Sequence, residues 1–309
     1  MHFLTSVRQG ITFAFCFLIL CSCTTTIEQP QTGLTELSSQ PRADKNDPAR
    51  LKNLSLVELL QNGNAYLESN DTQLAGLHFQ AALEREPGSA AALTGLGEIQ
   101  RRGGDLNGAR AAYSKALEND DRYLPALLAT AKVSRAQGDN ETAKAILTKA
   151  LSSDPENITV LTEMGLLYDS LGQENLAEPL YAKVVALRLD LAFGYNNLGY
   201  NYLLQERYTE AIATLSRSLS LDPGNKRTRN NLGAAYALYG DEERALQIFE
   251  KGVGKAAAYN NIGYIYMTKG QWDKAEKAFK YALDLNPRFY QRAQENLDRL
   301  NRLRSKPLL

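Results

Sequence analysis

The chain has 309 residues, 44% of them hydrophobic, and its 35 Lys and Arg balance its 35 Asp and Glu. That balance leaves no strong field to draw nucleic acid or acidic lipid, so no nucleic-acid partner is expected. All three cysteines (Cys16, Cys21, Cys23) fall near the start and the two histidines are His2 and His78, so the rest of the chain lacks disulfides, thiolate sites and histidine triads; no metal and no cofactor is expected.

Residues 1–22 carry Arg8 and then an apolar run from Ile11 to Leu20, broken only by Thr12. The run is short for a bilayer span and has the proportions of a signal-peptide core. It ends in Leu20-Cys21-Ser22-Cys23, which resembles the bacterial lipobox. The resemblance implies acylation of Cys23. Cys21 fits less well, because the bulky Leu20 precedes it. An ordinary signal cleaved near Cys23 is the alternative. Several acyl chains anchor a protein stably where one does so only marginally. Thr24 stands where the Gram-negative sorting pattern uses Asp for inner-membrane retention. In a Gram-negative host this implies a lipid anchor in the outer membrane, facing the periplasm. Residues 23–54 form the lipidated N-terminus and a polar tether with Pro30, Pro41 and Pro48. Thirty such residues span roughly 30 Å r.m.s..

From Ser55 the pattern becomes helical. Ser55-Leu56-Val57-Glu58 reads as a capping box. Seven units follow at 56–89, 90–123, 124–157, 158–191, 192–225, 226–255 and 256–289, with Gly63, Gly97, Ala131, Gly165, Gly199, Gly233 and Gly263 at one fixed place. Twelve residues after each comes Ala75, Ala109, Ala143, Ala177, Ala211, Ala245 or Ala275; sixteen after comes Phe79, Tyr113, Leu147, Tyr181, Leu215, Phe249 or Phe279. Small residues let two helices approach, and the large one fills the gap to the next repeat. A period of 34 with this pattern resembles the tetratricopeptide repeat (TPR), which implies an all-α TPR solenoid, a right-handed superhelix of helix-turn-helix units over 55–289. Pro125 suits the start of a helix, whereas Pro179, inside one, is a candidate bend. The sixth repeat is four residues short and ends in Lys251-Gly252-Val253-Gly254. Four residues are about one helical turn, so the apolar stripe stays in phase, and a local change of curvature is expected. Within 290–309, the positions Tyr290, Ala293, Leu297, Leu300 and Leu303 follow helical spacing, as a capping helix requires.

No phosphate loop, nucleophile elbow or metal-ligand cluster occurs, and His78 alone reads as a surface or partly packed residue; the chain is expected to be a binding protein and not an enzyme. The TPR resemblance implies a groove lined by the first helices. It places Asn196 and Asn197, Asn230 and Asn231, and Asn260 and Asn261 at adjacent groove positions, with Tyr200, Tyr264 and Arg227 beside them. A row of amides, each both donor and acceptor, could pair with an extended peptide backbone; a solvated face is the alternative. The lysines of a TPR carboxylate clamp are absent, with Lys132 standing alone.

The lipobox, tether and repeats, with the segments YNNLGY, NNLGAAYALYGDEERAL and AAAYNNIGYIYMTKGQWDKAEKAF, resemble the TadD-type lipoproteins of the tight-adherence (Tad/Flp) pilus. That resemblance implies a pilotin-like assembly factor whose client is the secretin or another pilus or secretion component. A type IV pilotin and an adaptor recruiting peptidoglycan-processing enzymes are the alternatives.

Overall fold

The structure, a computed structural model, describes residues 51–286 and 291–305. The signal segment, Cys23 and nearly all of the tether lie outside the described residues, as does Tyr290. Contacts divide the chain into two compact units, with the boundary between Gln173 and Glu174. Among the described residues all regular structure is α-helical, and no helix is long and apolar enough to cross a membrane.

The first unit holds α1 (Leu56–Glu68), α2 (Thr72–Arg85), α3 (Ala90–Arg102), α4 (Leu106–Asn119), α5 (Leu124–Ala136), α6 (Asn140–Ser153) and α7 (Ile158–Ser170). The second holds α8 (Glu174–Leu187), α9 (Ala192–Leu204), α10 (Tyr208–Leu221), α11 (Lys226–Tyr239), α12 (Glu242–Val253), α13 (Lys255–Thr268), α14 (Trp272–Leu285) and α15 (Gln291–Arg304). Odd-numbered helices up to α13 open a repeat and even-numbered ones close it.

The small-and-large pattern is the packing code of both units. The seven recurring alanines are fully buried, and the large residues four places on are buried too. In the first unit Phe79 lies against both Gly63 of its own repeat and Gly95 of the next, where an added methyl would collide with the ring. In the second, a methyl on Gly199 would stand 2.6 Å from Leu215, and one on Gly233 or Gly263 would stand 2.7 Å from Phe249 or Phe279. Backbone approach at the glycine is therefore what admits the large side chain.

Within each unit, the turns inside a repeat reverse through one residue with positive φ: Asn70, Gly104 and Gly138 in the first, Glu206, Gly240 and Gly270 in the second. A left-handed residue ends the first helix and aims the chain back along it. Asp71, Asp105, Asp139 and Asp241 then cap the second helix, their carboxylates accepting from the N–H groups of Leu74, Gly108, Thr142 and Arg244. At the start of α1, Ser55 and Glu58 satisfy each other's backbone N–H groups as a capping box. Pro125 occupies the first turn of α5, and Pro179 lies within α8, which runs on to Leu187.

The short repeat loses its junction. α10 and α11 are separated by residues 222–225, whereas α12 and α13 are separated by Gly254 alone, at φ 81° and ψ 166°. This glycine ends one helix and begins the next. Phase is kept across it: Ala245, Phe249, Ala258 and Ile262 form one buried cluster. At the far end, α15 covers Met267, Ala275 and Phe279 with Leu300, and Ala293 is also buried. Leu303, expected in the same stripe, is exposed, while Arg304 beside it turns to Glu276 and Asp273.

Candidate functional site

The candidate site lies wholly in the second unit, where α9, α11, α13 and α15 lie side by side. Adjacent residues on a helix point about 100° apart, so no asparagine doublet can send both amides one way. One member of each doublet turns inward. Asn196 is buried, and its Oδ1 accepts from Asn231 Nδ2 at 3.0 Å and from Thr228 Oγ1 at 3.2 Å, while its Nδ2 reaches Asn197 Oδ1 at 3.4 Å. Asn231 is only 1% exposed. Asn260, also buried, accepts from Asn296 Nδ2 of α15 at 2.9 Å.

The expectation of six available amides is corrected accordingly. Asn196, Asn231 and Asn260 join neighbouring helices and offer a client little. Asn197, Asn230 and Asn261 remain half-buried, as do Tyr200, Arg227 and Tyr264. Tyr264 packs on the cluster of Met267 and Phe279, and burial raises its hydroxyl pKa, so it stays neutral. Tyr200 packs on the Leu203 and Leu232 cluster.

Beneath this face runs a polar chain that the sequence did not disclose. Ser218 Oγ, from α10, donates to the Ala192 carbonyl at 2.7 Å and lies 3.2 Å from Thr228 Oγ1. Both hydroxyls are fully buried. Two protons serve three contacts here, because Thr228 also donates to Asn196. The network ties α9, α10 and α11 into one register. Of its atoms, Asn231 Oδ1 has no hydrogen-bond partner. A second network links Asn201, Gln205, Glu178 and Arg207. Asn201 donates to the Glu174 carbonyl at 3.1 Å, and Arg207 meets Glu178 at 2.8 Å while lying over the Tyr202 ring.

In the first unit, Lys132 is ion-paired. It and Arg135 face the buried Glu163 at 3.4 and 3.5 Å. Glu98 is desolvated, yet hydrogen bonds from Arg101 and Arg102 outweigh that burial and hold its carboxyl below the usual range. His78 is buried against Tyr66, 5.2 Å between ring centroids, rather than at the surface. These are packed ion pairs and rings within one unit. Among the described residues no group of three or more His, Cys, Asp or Glu side chains is placed to hold a metal ion.

Comparison with known proteins places this architecture. Tetratricopeptide repeat models match residues 60–123, 124–157, 190–253 and 256–289. Together with the helix pairs and their packing code, these matches make the chain a tetratricopeptide repeat protein. Among solved structures, a tetratricopeptide repeat protein from Parabacteroides merdae ATCC 43184 is similar, with a TM-score of 0.58 and 24% identity over 80% of this chain and 98% of that one. The Cut9–Hcn1 hetero-tetramer of the APC/C gives a TM-score of 0.57 at 20% identity, over 79% of this chain and 52% of that one. A thermophilic TPR protein of Thermus thermophilus gives 0.51 at 23% identity, over 59% of this chain and 98% of that one. At these identities the likeness is one of fold. Two curated relatives match in part. The "Lipoprotein NlpI homolog" of Haemophilus influenzae is 37% identical over 87 residues, 28% of each chain. Human "Protein O-mannosyl-transferase TMTC1" is 28% identical over 134 residues, 41% of this chain. The chain thus spans 15% of TMTC1 and 28% of the NlpI homologue.

Proposed function

We propose that this chain is a non-enzymatic protein-binding scaffold, held at the outer membrane through lipid on Cys23. Its client is a component of the Tad/Flp pilus apparatus, the secretin first, which is the role of TadD. One observation carries the binding reading: inward amides lock α9 to α11 and α13 to α15, while Asn197, Asn230 and Asn261 stay half-buried on the same helices. Amides held on a rigid backing can meet an extended peptide with little loss of conformational freedom. The segment shared with the NlpI homologue, itself named a lipoprotein, supports the anchored reading. It equally supports a second reading, an envelope TPR lipoprotein serving another client as a type IV pilotin or as an adaptor for peptidoglycan-processing enzymes.

Cross-linking in native membranes, then co-purification and mass spectrometry, tests both. Pilus components should be enriched with the full chain, and recovery should fall about tenfold in Asn197→Ala/Asn261→Ala, since each lost bond that leaves a buried partner unsatisfied costs about 1–3 kcal/mol. Cys23→Ala should lose palmitate labelling and outer-membrane fractionation. Cell-wall hydrolases recovered in place of pilus components would move the assignment to the second reading, and labelling that survives Cys23→Ala would remove the anchor.

A further inference from the structure

The seventh repeat departs from its six predecessors on the flank away from the asparagines. Where it carries Tyr281, the others carry Ala81, Lys115, Lys149, Lys183, Arg217 and Lys251. Where it carries Lys277, they carry Leu77, Ala111, Ala145, Pro179, Ala213 and Gln247. An aromatic thus stands where five of the other six repeats carry a cation, and a cation stands where all six carry an uncharged residue one helical turn earlier. Each change alone could be surface drift; together they build one feature.

That feature is a groove of about 500 Å³ between α12 and α14, floored by α13. Tyr259 and Tyr266 stand two turns apart on one face of α13; Lys274, Lys277 and Tyr281 stand on one face of α14. Tyr281 is 41% exposed and meets Tyr259 edge-on, 4.5 Å between centroids at 74°. Lys274 Nζ lies 5.1 Å from the Tyr266 ring centre. The Tyr266 hydroxyl donates to Glu242, the one carboxylate of the lining. Among the described residues neither Lys274 nor Lys277 has a carboxylate within ion-pair distance. Tyr259 and Tyr266 each lie two residues, about 200°, from Asn261 and Tyr264 respectively, so this groove and the asparagine face use opposite sides of α13.

We infer that this groove is a second docking surface, which takes an acidic segment of a partner protein bearing aromatic or apolar side chains. The tyrosine edges supply the apolar contact, and the two lysines supply charge that the groove itself leaves unpaired. Acidic side chains in the segment complete the lysines' bonding, and a neutral or basic segment would leave them desolvated. The surface is independent of the proposed client at the asparagine face.

The test uses the full chain and a fluorescein-labelled peptide of twelve residues alternating Asp and Glu with Phe and Leu, read by fluorescence polarisation. Its counterpart with lysine at every acidic position should bind at least roughly tenfold more weakly. Tyr281→Ala gives the residue that the first repeat carries at this exposed place, Ala81, and adds no charge, so the fold should survive, as an unchanged Tm would verify. This variant and Lys274→Glu/Lys277→Glu should each weaken the acidic peptide about tenfold, and rising salt should weaken it in the parent chain. Asn197→Ala/Asn261→Ala should leave it unchanged, which separates this surface from the asparagine face. Equal binding of both peptides, no binding of the acidic one, or full affinity in Tyr281→Ala overturns the inference. Self-association of the full chain that Tyr281→Ala abolishes, seen by sedimentation, would also overturn it by making a second copy the occupant.

Discussion

Glu206 adopts φ 60° at the turn between α9 and α10, where most other repeats have glycine. A left-handed conformation costs an ordinary L-residue about 1–2 kcal/mol, part of which glycine gives back through its larger loss of freedom on folding. Glu206→Gly should therefore raise stability by roughly 0.5–1 kcal/mol, visible as a higher Tm or denaturant midpoint. Asn70→Gly, at φ 61°, should gain less, because asparagine tolerates this region. An unchanged midpoint in Glu206→Gly would mean that the turn is not strained. His78 offers a different lever. Burial holds its pKa below the ordinary value of 6.5, so the folded chain resists a proton that the unfolded chain accepts. Stability should fall as pH drops below about 6.5 toward the folded-state value, and should not depend on His78 above it. His78→Phe, which keeps a ring against Tyr66, should flatten that part of the Tm–pH profile; equal slopes in both proteins would refute the burial argument.

At the scale of elements, the helices and their contacts were legible because their periodicity is repeated seven times. Every alanine twelve residues after the small position is buried, and so is every large residue four later. Ala211 sits fully buried with Leu215, Leu203 and Leu232. Ala211→Leu should overpack that contact and cost about 1–3 kcal/mol by denaturant unfolding. A neutral result would show that α10 can shift away from α9. The asparagine doublets were less legible. Their position in each repeat was readable, but which amide turned inward was set by partners 32 to 36 residues away. Thr228, Asn231 and Asn296 supply those partners, and nothing in the local sequence shows which of them will reach across. The pairing of Lys132 was hidden for the same reason, since Glu163 lies in the following repeat.

For the whole molecule, a period of 34 was enough to give the fold, and the short sixth repeat was visible as a length alone. Its structural form was not, because a missing junction and a shortened loop read alike in sequence. The consequence lies in cooperativity. Elsewhere within the second unit, residues 188–191 and 222–225 separate one repeat from the next, so the last turn of one helix can open without loosening the first turn of its successor. At Gly254 no such buffer exists: its N–H bonds back to Glu250 and its carbonyl accepts from Ala258. Fraying of α12 therefore withdraws the first bond of α13, and fraying of α13 exposes the end of α12. In a linear array whose stability is a sum of units and couplings, this makes the sixth and seventh repeats behave as one longer unit, with α15 closing it.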